Sequence, residues 1–216
     1  MENTGFDLWA SSYENDVNVS DGNGDYPFAG YGQVVNDVCD RVMAKAPCRV
    51  LDIGIGTGNL SAKLHGNGCE VEGIDFSAKM LEAAAEKMRE ARLIPHDFAQ
   101  GLPAELAGQK FDFIVSTYAL HHLEDGEKHR LISSAMNFLT DGGAVLIGDV
   151  SFENLDAMRE SKAHSGDLWD DGEHYLVYAD FAAGLSADCV SSFRRHSHCG
   201  GVLEIRRRQA AVGKTC

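Results

Sequence analysis

Nothing in this chain is apolar over enough residues to suggest a membrane span, and no hydrophobic leader is visible near its start. The expected compartment is therefore the cytoplasm. Positive charge is scarce: 19 Lys and Arg stand against 33 Asp and Glu, a net charge of −14. That balance disfavours nucleic-acid backbones and anionic lipid as partners. Arg206-Arg207-Arg208 is the one basic cluster, and it suits the solvated end of a last strand. The cysteines Cys39, Cys48, Cys69, Cys189, Cys199 and Cys216 include no C-x-x-C pair and no zinc-ligand spacing, so no metal centre is expected. Cys48 and Cys69 lie in apolar runs where a free thiol behaves as a small core residue. No internal repeat and no second domain is visible. With 216 residues, 44% of them hydrophobic, the chain suits one soluble domain with a proper core, as a monomer or homodimer.

What is present is an alternation of strands and helices. Residues 50–53, 71–74, 93–96, 111–116 and 144–149 read as strands, with helices at 60–65, 78–91 and 127–139 between them. Such alternation implies right-handed crossovers and a parallel sheet covered on both faces. Ahead of it, residues 4–13 suit a short helix carrying Phe6, Trp9 and Tyr13, and 15–25 a polar mobile loop. Residues 28–46 suit an amphipathic helix with Tyr31, Val34, Val35, Val38, Val42 and Met43 at helical spacing, stopped by Pro47. After Asp149 the pattern changes to helices at 152–164 and 173–185, then strands at 188–195 and 202–208 joined by a turn at Gly200-Gly201. A strand pair that close is antiparallel, because a parallel pair needs a long crossover.

The most informative stretch is Val50-Leu51-Asp52-Ile53-Gly54-Ile55-Gly56-Thr57-Gly58-Asn59. It is a strand, a tight turn and a helix start, with no side chains where the backbone must approach a ligand. A dinucleotide fingerprint would put its third glycine at Asn59, whereas here it is Gly58. An acidic residue ahead of three alternating glycines resembles D/E-x-G-x-G-x-G, the first motif of class I S-adenosyl-L-methionine (SAM)-dependent methyltransferases. The resemblance implies an α/β, Rossmann-like, seven-stranded, mostly parallel sheet with helices on both faces and a C-terminal antiparallel strand pair. It also implies one methyltransferase domain over 1–216: lid and helix at 1–46, SAM-binding core at 47–152, a helical substrate-side segment at 153–185 and the strand pair at 186–210.

Candidate site residues follow from the strand ends, where ligands of open α/β sheets bind. Asp52, Gly54 and Gly56 belong to the first turn. Asp75, about twenty residues past the first glycine, can accept hydrogen bonds from ribose hydroxyls. Phe76 and Met80 offer apolar surface to an adenine, and Ser77 suits a helix cap. The resemblance assigns Asp97, beside Phe98, to the adenine amino group, although His96 stands where the family commonly has glycine. Ser116 ends the fourth strand, and Ser116-Thr117-Tyr118-Ala119-Leu120-His121-His122-Leu123 is wording frequent across the family. Trp9-Ala10-Ser11-Ser12-Tyr13 resembles the family's W-A-x-x-Y lid, whose tyrosine closes over the cofactor; plain packing of Trp9 and Tyr13 on the sheet is the alternative. From Phe6 to about Phe152 the wording is similar to the YrrT-like group of small bacterial methyltransferases, including Ile55–Leu64 and Asp149-Val150-Ser151-Phe152-Glu153.

The implied activity is methyl transfer from SAM, leaving S-adenosyl-L-homocysteine (SAH). The fourth strand lacks the N/D-P-P-Y apparatus of adenine and glutamine methyltransferases, and no cysteine between Cys69 and Cys189 offers a cytosine-type nucleophile. With the charge, this favours a small-molecule acceptor over nucleic acid or membrane. Because SAM is already activated, a base is needed only if the acceptor must lose a proton. His121 and His122 are the candidate catalytic residues, with Tyr118 and His174 behind them. Trp169, Tyr175 and Tyr178 suit either an acceptor wall or plain core. Two other functions fit many of the same residues: a non-catalytic SAM or SAH sensor, and an NAD-dependent oxidoreductase, which the glycine spacing opposes.

Overall fold

An apolar run broken only by Arg49 and Asp52 suits a strand covered on both faces. In the computed structural model of the chain, which describes residues 13–209, this run is β1 (Arg49–Ile53). It lies inside an eight-stranded sheet with β2 (Glu70–Asp75), β3 (Arg92–Pro95), β4 (Phe111–Thr117), β5 (Leu139–Phe152), β6 (Leu176–Val177), β7 (Cys189–Arg195) and β8 (Gly200–Arg207). The order is β3-β2-β1-β4-β5-β8-β7, with β6 paired to β5 off this path. The pairs among β1 to β5 are parallel, whereas β8 runs antiparallel to both β5 and β7. The order reverses beside β1, which opens a crevice where β1 and β4 end.

Seven α-helices are described: α1 (Tyr13–Asn23), α2 (Tyr31–Met43), α3 (Asn59–Gly66), α4 (Ala78–Lys87), α5 (Asp125–Ala135), α6 (Leu155–Ser165) and α7 (Tyr178–Ala183). Alternate strand residues feed opposite cores, as a period of two requires. Val50, Val71, Phe113 and Leu146 pack with Val34, Val38 and Val42 of α2 and Leu60 and Leu64 of α3. Leu51, Ile74, Ile114 and Val145 pack with Leu131 and Ile132 of α5 and Phe181 of α7. Cys48 and Cys69 are buried opposite one another on the first side, their sulfurs 3.3 Å apart.

Several segments differ from the sequence expectation, each for a tertiary reason. Residues 15–25 are not a loop but most of α1 and the turn after it. A helix this polar needs outside support; Val17 is only 1% exposed, and Asp21 accepts the Gly30 and Gly32 amides at the start of α2. The second half of the 173–185 helix exists as α7, but Leu176 and Val177 instead pair with Ser151 and Phe152 where β5 overruns the sheet. Asp141-Gly142-Gly143 bulges out within β5, whose register against β4 shifts between the Phe111 and Phe113 pairs. The turn expected at Gly200-Gly201 falls at residues 196–199, and both glycines lie in β8. The Phe193 ring lies over Gly201, where an added Cβ would come within 2.4 Å of Phe193 Cζ. The helix and lid expected from residue 4 to 13 fall almost wholly outside the described residues, as does the side chain of Tyr13.

Candidate cofactor and acceptor site

The turn from β1 into α3 holds three left-handed glycines, with φ of 71° at Gly54, 55° at Gly56 and 78° at Gly58. Their reasons differ. A Cβ on Gly54 would stand 2.5 Å from Ala119 Cβ, and one on Gly58 would stand 2.9 Å from Met88 Cε. A Cβ on Gly56 would meet nothing within 4 Å. Gly54 and Gly58 thus let the turn press against its neighbours, while Gly56 presents bare backbone to open space.

At the end of β2, Asp75 is 5% exposed and accepts the amides of Gly56 and Ser77, each at 2.9 Å. Burial raises its pKa, and these amide bonds offset only part of that rise. Ser77 caps α4 by accepting the Met80 amide at 3.2 Å. Gly54, Gly56, Asp75, Phe76, Met80 and Phe98 all line one cavity, of about 730 Å³ counted out to its open mouth. His121 and His122 line it from the β4 side.

Asp52, Asp97 and Ser116 are not in the cavity wall. Asp52 is 1% exposed beneath the turn, where it accepts the Ser61 hydroxyl at 2.7 Å. Its other carboxylate oxygen has no hydrogen-bond partner among the described residues. Burial, with Asp75 nearby, pushes its pKa up to about 7 despite the Ser61 bond. Ser116 donates to the Ile53 carbonyl at 2.7 Å, stitching β4 to β1. Asp97 accepts the Ala99 amide at 3.0 Å and so caps the short turn that carries Phe98 into the cavity.

Both histidines are held by carboxylates. His121 Nδ1 lies 2.5 Å from Asp149, which also accepts the amides of Leu120 and Val150. Burial opposes charge on both partners, yet their attraction wins: the His121 pKa is raised and that of Asp149 lowered. His122 Nδ1 lies 2.9 and 3.1 Å from the two oxygens of Glu173, whose pKa this contact lowers against the effect of burial.

Sequence reasoning named Tyr118 only as a reserve base and Tyr31 only as helix packing, and did not foresee the aromatic corner of the cavity that they form with Phe28. The Tyr118 ring centroid lies 4.9 Å from that of Tyr31 and 5.4 Å from that of Phe28. Tyr118 is the one non-glycine residue with positive φ among the described residues, at 50°. Such an outlier at a strand end marks a position where the surrounding structure overrides local preference. Thr57 and Asn59 also line the cavity. They sit inside the glycine motif, which was the available signal. Trp169 and Tyr175 pack against Tyr26 and Phe152 in an aromatic cluster beyond the cavity.

Residues 50–143 match a family model described as a methyltransferase domain. An uncharacterized methyltransferase of Geobacillus thermodenitrificans is 39% identical over 191 residues, which is 85% of this chain and 85% of the relative. The chain belongs to the class I SAM-dependent methyltransferases. An N-methyltransferase from Bradyrhizobium japonicum, solved with SAH, has a similar fold, with a TM-score of 0.63 and 16% identity over 84% of this chain and 89% of that one. Magnesium protoporphyrin IX methyltransferase from Synechocystis, also solved with SAH, gives 0.59 and 22% over 83% and 84%. This methyltransferase carries no helix, among the described residues, long and apolar enough to cross a membrane.

Proposed function

We propose that the cavity between the β1–α3 turn and the end of β4 binds SAM, and that the protein transfers its methyl group to a small cytoplasmic acceptor. The observation that carries this reading is Asp75. A buried carboxylate at the end of β2 faces the cavity while fixing the bare Gly56 backbone opposite. In this arrangement Asp75 takes the ribose hydroxyls, the backbone at Gly54 and Gly56 takes the methionine part, and Phe76, Met80 and Phe98 flank the adenine. When bound, SAM supplies an already activated methyl on a sulfonium. The protein's part is then orientation and exclusion of water. Phe28, Tyr31 and Tyr118 offer aromatic faces of the kind that favour a cation. Asp149 positions His121, which with His122 meets the acceptor.

The assignment of Asp75 has a direct test. Asp75→Ala is expected to weaken SAH by about 1.5–3 kcal/mol, the scale of hydrogen bonds to a charged group, which calorimetry reads as roughly 10–150-fold in Kd. Unchanged affinity in a folded variant would place the ribose elsewhere.

The acceptor class rests on charge and on the missing N/D-P-P-Y apparatus. Methyl-labelled SAM is expected to label small molecules in a metabolite extract and to leave RNA, DNA and lipid vesicles unlabelled. Labelling of nucleic acid alone would overturn the small-molecule reading. SAH binding without transfer to any extract would favour a sensor.

A further inference from the structure

Two imidazoles and a carboxylate meet at the rim of the cavity, and their arrangement suits more than two separate ion pairs. The His121 and His122 rings sit edge to face with centroids 4.1 Å apart. One ligand-capable atom from each of His121, His122 and Glu173 lies within 4.8 Å of the others. His122 Nδ1 stands 2.9 and 3.1 Å from the Glu173 oxygens. Two ligands each about 2.0–2.1 Å from one ion lie about 2.8–3.0 Å apart at octahedral angles and about 3.3–3.4 Å apart at tetrahedral ones. That pair already spans close to one edge of a coordination polyhedron.

The surroundings of His121 add a second reason. Its Nδ1 is taken by Asp149, a carboxylate 2% exposed and itself fixed by two backbone amides. A carboxylate on the far ring nitrogen fixes the tautomer of a metal-binding imidazole and raises its basicity. The nitrogen left over is Nε2. Charge supplies a third reason. Neither Asp149 nor Glu173 forms an ion pair with Lys or Arg among the described residues; their partners are the two histidines. Two carboxylates thus meet at the paired imidazoles with no Lys or Arg ion-paired to either among the described residues, a donor set that suits a dication.

We propose that His121, His122 and Glu173 hold one divalent transition-metal ion. The mixed imidazole and carboxylate donors suit Zn2+, Co2+ or Ni2+ rather than Mg2+ or Ca2+. His122 lines the cofactor cavity, and Glu173 lines a neighbouring cleft with Trp169 and His174, so the ion stands where the two adjoin. Three protein ligands leave at least one coordination position open. A role for that position in holding an acceptor atom rests on the methyl-transfer reading, whereas ion binding does not. His121 and His122 are neighbours in the chain, but Glu173 lies 51 residues beyond His122, so no metal spacing was visible in the sequence.

The test uses tag-free, full-length protein stripped with a chelator and titrated with Co2+ and Zn2+ without SAM. We expect one ion per chain with a micromolar or tighter Kd, and a visible Co2+ absorption band. Glu173→Gln, near-isosteric and at a half-buried site, is expected to weaken Co2+ at least tenfold while circular dichroism stays unchanged. Asp149→Asn removes no ligand, yet is expected to weaken it by about 10–100-fold. His164→Ala alters the separate His164–His198 pair and should leave affinity as it was. Absence of stoichiometric binding, or binding indifferent to Glu173→Gln, overturns the proposal. A parallel SAH titration separates the two readings. SAH binding with no metal binding removes the ion alone, and metal binding without SAH removes the cofactor assignment alone.

Discussion

Gly54→Val is expected to yield a protein that no longer binds SAM or SAH and that melts well below the wild type. Two effects combine. Gly54 has φ 71°, a conformation that disfavours an L side chain by about 1–2 kcal/mol and a β-branched one most of all. The new Cβ would also stand 2.5 Å from Ala119 Cβ and 3.3 Å from Phe98 Cε1, a clash that overpacking data place at about 1–3 kcal/mol. A total of about 3 kcal/mol lowers Tm by roughly 6–12 °C in a chain of this size. Relief requires Ala119 or Phe98 to move, and both line the cavity. Gly56→Ala provides the contrast, because its Cβ meets nothing within 4 Å. Its Tm should fall less while SAH affinity still drops. A Gly54→Val protein with wild-type Tm and wild-type SAH affinity would refute both the packing argument and the site.

Asp52→Asn is expected to raise stability above that of the wild type at pH 8, with the difference vanishing as pH falls toward 4. The Asp52 carboxyl has its pKa raised from an ordinary 3.8 to about 7 by burial, so the folded chain holds its proton more tightly than the unfolded chain does. Between those values the native state binds more protons, and stability must fall as pH rises through about 4 to 7 before levelling off. At full effect the rise corresponds to about 4 kcal/mol. An asparagine keeps an acceptor for Ser61 and carries no charge to desolvate. Thermal melts of both proteins from pH 4 to 8 read the difference directly. A gap that stays constant across that range would mean that Asp52 does not titrate with a raised pKa.

The cofactor half of the candidate site was legible because its signals are local. Asp75 and the glycines occupy two short strand-to-helix turns, and each pattern needs only a few consecutive residues. The acidic motif residue was misleading in one respect. Asp52 is named by the same wording as Gly54, yet its side chain points into the protein, under the turn, rather than into the cavity. Asp97 and Ser116 differ in the same way: each stands at a strand end, but each is spent on a backbone group of its own loop or a neighbouring strand. Residue type and position along a strand do not fix side-chain direction once a turn begins.

The side of the cavity that carries the two histidines was legible only in fragments. Tyr31 satisfies the apolar spacing of α2, which hides its place in the cavity wall. Glu173 lay in an expected helix, and nothing nearby in sequence marks it as the partner of His122, 51 residues away. The wording Ala119-Leu120-His121-His122 singled out the histidines but not what holds them.

The sequence alone determined the alternating strands and helices, the parallel sheet, the glycine turn and the carboxylate that ends β2, because periodicity and turn chemistry act over a few residues. The tertiary structure decided which carboxylates face the cavity and which are buried beneath it. It also turned a polar stretch into α1, seated Leu176 and Val177 against β5, and brought Asp149 and Glu173 to the two histidines. Each of these depends on groups far apart in the chain, whose meeting is set by how the helices and loops close over the sheet.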